Sequence, residues 1–197
     1  MKSLIAPTIA AALVFTPVVA ATKGAVLDTY ADIAQASFGD SLTLARALDK
    51  SVAALTSEPS AENLQAAKTA WLAARVPYQQ TEVFRFGNAI VDEWEGLVNA
   101  WPLDEGLIDY VDTKAYGGPT DENEYAAVNV IANSTFTVGG KTVDASTITA
   151  ELIGEVLHEA DEIESNVARG YHAIEFLLWM KSIKCCKLRS DIWSATA

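Results

Sequence analysis

The sequence predicts an all-α fold, a helical bundle with one small β-hairpin inserted, and three observations predict it. The first is helical periodicity over 25–55, where Leu27, Tyr30, Ile33 and Ala34, then Leu44, Leu48, Val52 and Leu55, recur at steps of three and four. The second is a long periodic stretch over 61–86, opened by Ser60 as a natural N-cap after Glu58-Pro59. The third is the isolated β signal, Phe136-Thr137-Val138 and Lys141-Thr142-Val143 around Gly139-Gly140, which is hairpin chemistry and recurs nowhere else.

The chain has 197 residues, half of them hydrophobic, which suits one domain with a real core. Residues 1–21 read as a signal peptide. Lys2 gives the positive start, Leu4 to Val19 is apolar, and small residues place cleavage after Ala20 or Ala21. Pro7 and Pro17 weaken that stretch as a membrane helix, so no stable membrane span is expected after cleavage. Export invites disulfides, but the only cysteines are the adjacent Cys185 and Cys186, and neighbours bridge each other only with strain.

Within the folded part, Gly39 is expected to break or kink the first helix, and Pro77 to kink the second. One stripe of the second helix reads Leu64, Ala67, Trp71, Arg75, Tyr78, Glu82, Arg85, turning from apolar to charged beyond Pro77. Charges alternating with aromatics suggest a polar cluster as readily as a solvated face. A second stripe, Leu72, Val76, Gln79, Val83, Phe86 and Ile90, is mostly apolar.

Residues 88–118 form a long connection with Trp94, Trp101, Tyr110 and Tyr116, long enough to carry small elements of its own. A short helix is expected over Leu103–Val111, with Asp104 near its start, and another from Asp121 through Ala132. From Thr149 a helical pattern resumes through Leu152, Val156, Ile163 and Val167 and runs into Asn166–Trp179. Gly170 inside it costs about 1 kcal/mol against alanine, which predicts a kink, a helix join or the close approach of another backbone. Residues 181–197 differ in character, with Lys181, Lys184, Lys187 and Arg189 against one acid, Asp191.

A formal charge of −12 argues against nucleic-acid and anionic-membrane partners and leaves cation binding open. The candidate cation site is His172 with Glu175, neighbours on one helical face among Phe176, Leu177 and Trp179. A core histidine satisfied by a neighbouring carboxylate is the plainer reading of that pair. Two donors do not complete a transition-metal site. In bundles, facing helices add carboxylates to such a pair, and Glu82 is the best third ligand. The other histidine, His158, lies roughly 21 Å back along a continuous helix. No His-Glu-x-x-His and no Gly-x-Ser-x-Gly occurs, so neither zinc-protease nor serine-nucleophile logic applies.

Trp71–Gly87, Trp94–Val111 and Asn166–Trp179 together resemble the imelysin family, whose Gly-x-His-x-x-Glu motif stands here as Gly170, His172 and Glu175. The resemblance implies an all-helical fold of two bundle-like domains, location in the periplasm or outer envelope, and a link to iron uptake. Its implied ligand is a metal ion, iron with zinc as the alternative, or an iron chelate, and its implied protein partners are envelope iron-uptake proteins. It carries over Arg75, Glu82, Arg85, Trp101 and Asp104 as site residues around the motif, with the arginines orienting carboxylates or binding an anionic chelator. The organisation expected is a signal peptide over 1–21, an imelysin-like helical domain over 25–180 that is only the first part of the family fold, and a divergent basic tail over 181–197, as in a truncated product. The leading reading is a non-enzymatic iron-linked binding protein. The alternatives are a metallopeptidase acting on exported peptides, in line with the family's historical classification, and a nonfunctional fragment.

Overall fold

In a computed structural model, residues 20–180 are described. Most of the expected signal peptide, the expected basic tail and its two cysteines lie outside those residues. Helix α1 (Lys23–Ser57) is capped by Thr22, whose Oγ1 accepts from the Ala25 N–H at 3.1 Å. It runs through Gly39 without a break, where an added Cβ would meet nothing within 4 Å. Helix α2 (Ala61–Gln80) begins at Ser60, whose side chain accepts from the Asn63 N–H. The two pack as a hairpin through Leu48, Leu55, Ala67, Trp71, Ala74 and Tyr78.

The expected helix to residue 86 ends early. Pro77 is buried inside α2, and the helix tightens into a 3-10 turn over Thr81–Phe84, where the Thr81 hydroxyl donates to the Tyr78 carbonyl at 2.6 Å. The connection after it carries three helices, α3 (Ala89–Val98), α4 (Glu105–Ile108) and α5 (Thr113–Tyr116). Of these, α4 is the short helix expected near Asp104, reduced to four residues.

Two other expected helices give way to tertiary contacts. Over 121–132 the chain turns instead, because its N–H groups serve α4: those of Asn129, Val130 and Ile131 donate to the carbonyls of Gly106, Leu107 and Ile108. Gly106 permits that approach, since an added Cβ would stand 2.0 Å from the Ala126 carbonyl oxygen. Over 149–167 only a π-helical turn, Leu152–Leu157, and a 3-10 turn, Ala160–Glu162, form. Asn166 holds this segment in its irregular path: its carbonyl accepts from the Glu159 N–H at 2.8 Å, and its Nδ2 donates to the Ala160 carbonyl at 2.9 Å.

The hairpin forms as expected, β1 (Thr135–Val138) pairing antiparallel with β2 (Lys141–Asp144). Tyr125 pins its turn, accepting from the Gly139 N–H at 3.1 Å and donating to Asp161. That bond to Asp161 pushes the Tyr125 phenol up to about 12. Helix α6 (Gly170–Trp179) lies across the α1–α2 hairpin, with Tyr171 and Leu178 in its core. The other face of α6 and the residues before it, through Ala173 and Val167, pack on Leu103 and Ile108. The architecture is an all-α bundle with a small β-hairpin, and α6 is shared between two of the three core clusters of the described residues, the third lying under the hairpin around Leu107, Tyr125 and Leu157.

Candidate functional site

Gly170 sets where α6 begins. Its φ is +88°, and a Cβ there would stand 2.6 Å from the carbonyl oxygen of Val98 and 2.7 Å from its carbonyl carbon. The glycine is therefore a close approach of two backbones, with the end of α3 seated against the start of α6. Its position fixes His172 and Glu175 one turn into the helix, three residues apart on one face. His172 Nδ1 lies 3.0 Å from Glu175 Oε2, and the imidazole lies 4.9 Å, ring to ring, from Trp101. The His172 side chain is 18% exposed and that of Glu175 42%. A bond donated by Nδ1–H to Glu175 leaves Nε2 as the acceptor nitrogen of the ring, the tautomer that a carboxylate fixes in metal-binding imidazoles.

The charged stripe of α2 turns toward α3, not toward this pair. Arg75 donates through Nη1 to Asn99 and stacks over Tyr171, Tyr78 and Trp71, with ring centroids 5.1, 5.6 and 5.7 Å away. Asn99 Nδ2 donates to Glu95 Oε1 at 2.9 Å, and Arg85 completes the chain with Nη1 3.3 Å from that oxygen and Nη2 2.7 Å from Asp92. Burial, then the charges of Glu95 and Glu82, raise the Tyr78 phenol well above its ordinary range. Glu82 lines a narrow crevice here with Phe38, Arg85 and Trp94. Arg85 thus has its partners on α3 and Arg75 at the C-cap of α3, and neither orients the expected carboxylate ligands.

Asp104 is likewise engaged. Its Oδ2 accepts from the Ser165 hydroxyl at 2.7 Å and from Asn123, tying α4 to the segment before α6. Among the described residues, no three His, Cys, Asp or Glu side chains form a group able to hold a metal. The expected set of His172, Glu175 and Glu82, with Asp104, is therefore not assembled. What remains is one imidazole with its orienting carboxylate, under an indole. This does not fit a resident metal, which needs about four protein donors or an equivalent set.

The sequence model of the imelysin family matches residues 34–194. The chain belongs to the imelysin family. The match extends into the basic stretch that sequence reading set apart after residue 180. The chain is also similar to Iron-regulated protein A of Synechococcus elongatus, 39% identical over 61 residues. That region is 30% of this chain and 17% of that protein, so the chain covers well under two thirds of its relative.

Two groups of this imelysin-family chain escaped sequence reasoning. Asp92, Glu95 and Asn99, the partners of the arginines, stand at steps of three and four, so a helix over Ala89–Val98 would have placed them on one face. His158 is buried, with Nε2 3.2 Å from the Gly96 carbonyl oxygen, and burial followed by the charge of Arg169 holds its pKa below the ordinary value. No local pattern marks that contact. No helix among the described residues is long and apolar enough to cross a membrane.

Proposed function

We propose that this chain is an exported, non-enzymatic protein of the periplasm or outer envelope that binds iron as a chelate, in a role linked to iron uptake. The carrying observation is the partly buried His172 imidazole, with Nδ1 3.0 Å from Glu175 and its ring 4.9 Å from that of Trp101. One protein donor suits a coordinatively unsaturated chelate, whose own carboxylates or hydroxamates fill most positions of the metal. Glu175 acts here as the residue that positions His172, and Trp101 covers one side of the imidazole. The name of the relative, Iron-regulated protein A, and the family membership support the iron assignment. Delivery to other envelope iron-uptake proteins would complete the role.

The metallopeptidase alternative needs an open metal position and a free base to activate water. Glu175, the carboxylate at His172, is instead committed to holding the imidazole. Titration of the full chain with ferric citrate, and separately with zinc chloride, tests the proposal against a His172→Ala variant. Ferric chelate binding that falls at least tenfold in the variant is expected. Equal binding by both chains would sink the site.

A further inference from the structure

Helix α1 is longer than the helix it pairs with. It has 35 residues against 20 in α2, an excess of about 22 Å at the α-helical rise. Its buried stripe runs back from Leu55 through Val52, Leu48 and Leu44 to Ser41, covered by α2. The same three- and four-residue steps continue through Ser37, Ala34 and Tyr30 to Leu27. Phe84, in the 3-10 turn after α2, reaches Phe38 and Tyr30, with ring centroids 5.7 and 5.3 Å apart. Beyond that contact the helix is bare: every residue over 23–33 is exposed.

Val26 and Ile33 flank this bare part of the stripe, and Val83 and Phe86 stand on either side of Phe84 in the chain. With Leu27 and Tyr30 they make six apolar residues at one end of the α1–α2 hairpin, from 53% exposed at Tyr30 to 98% at Phe86. Together they present roughly 800 Å², above the roughly 300–600 Å² of the largest apolar patch on a typical monomer. The charges of this stretch point elsewhere. Asp28 and Asp32 each stand two residues from Tyr30, about 160° around the helix.

We propose that this face binds a second copy of the chain, the overhangs of two α1 helices lying antiparallel across a two-fold axis near Tyr30. Each overhang supplies the helix that the other's stripe lacks, as α2 does for the rest of α1. The contact is isologous, the same six residues meeting on both sides. Its size suits a dimer, since a stable interface takes about 800 Å² from each partner. Antiparallel pairing leaves Asp28 and Asp32 of both copies on the outer sides, so the formal charge of −12 does not fall within the contact. That same charge disfavours a lipid surface with anionic headgroups as the occupant. The inference does not use His172 and does not depend on iron binding.

Sedimentation equilibrium of the full chain across the micromolar range tests it. Wild-type protein should pass from monomer to dimer as its concentration rises. Leu27→Glu and Tyr30→Glu lie at exposed positions where glutamate keeps the helix, and each should weaken the dimer about tenfold or more. Leu72→Glu and Val76→Glu are the controls. Both residues are exposed and apolar but on the side of α2 turned away from α1, and these variants should dimerise as wild type does. Phe86→Ser changes the face from outside α1, so it decides the matter if the α1 variants lose helix by circular dichroism. A monomer at every concentration, the result if another protein or a lipid surface covers the face, would overturn the proposal. A dimer that the face variants leave unchanged, or that the α2 controls weaken equally, would overturn it too.

Discussion

Replacing Gly170 by alanine tests the junction on which the site is built. The substitution meets two costs. A residue with a Cβ at φ +88° is disfavoured by about 1–2 kcal/mol. The new methyl would also lie 2.6 Å from the Val98 oxygen, 2.7 Å from its carbonyl carbon and 3.1 Å from its Cα. All three are backbone atoms, so no rotamer change relieves the clash and α3 must move away from α6, which costs about 1–3 kcal/mol more. Alanine's better helix propensity returns at most about 1 kcal/mol, and less at the first helical position. The net loss is about 1–5 kcal/mol, a large part of the 5–15 kcal/mol typical of a domain. Urea unfolding of the full chain reads it as a lower midpoint at unchanged slope. Gly96→Ala is the control: it lies inside α3 with nothing within 4 Å of the added carbon, and should stabilise by up to about 1 kcal/mol. A Gly170→Ala chain within about 0.5 kcal/mol of wild type would refute the close-approach argument.

Three further outcomes follow from the same contacts. Glu175→Gln keeps the fold but loosens control of the His172 tautomer, so ferric citrate affinity measured by calorimetry should fall about 10–100-fold. Trp71→Phe removes the buried bond from the indole Nε1 to the Tyr171 carbonyl, 2.9 Å long, and should lower unfolding free energy by about 1–3 kcal/mol in urea. His158 has a folded pKa below its unfolded value near 6.5. The unfolded chain therefore binds the proton first as pH falls, and stability should drop as pH decreases below about 6.5 toward the depressed value. Thermal midpoints followed downward from pH about 7.5 should show that slope in wild type and lose most of it in His158→Gln.

What the sequence made legible was local. Ser60 announces α2, Gly139-Gly140 announces the hairpin turn, and the three- and four-residue steps of Leu44 to Leu55 announce the buried face of α1. The expected helices over 121–132 and 149–167 fail because their backbones are recruited by distant partners, Gly106 to Ile108 in one case and Asn166 in the other. Such contacts override a weak periodic pattern. Of the site, the His172–Glu175 pair was visible because it is an i, i+3 contact within one helix. The fate of Arg75, Arg85 and Asp104 was not, since their partners Asn99, Asp92 and Ser165 come from other elements. Gly170 was readable as an anomaly, and only the fold shows that Val98 is what requires it.

In the proposed function the His172 imidazole, held by Glu175, meets the metal of an incoming chelate. X-ray absorption at the iron edge on full chain loaded with ferric citrate measures this directly. One imidazole nitrogen in the iron shell, absent in His172→Ala, is the result predicted. An all-oxygen shell that is the same in both chains would contradict it.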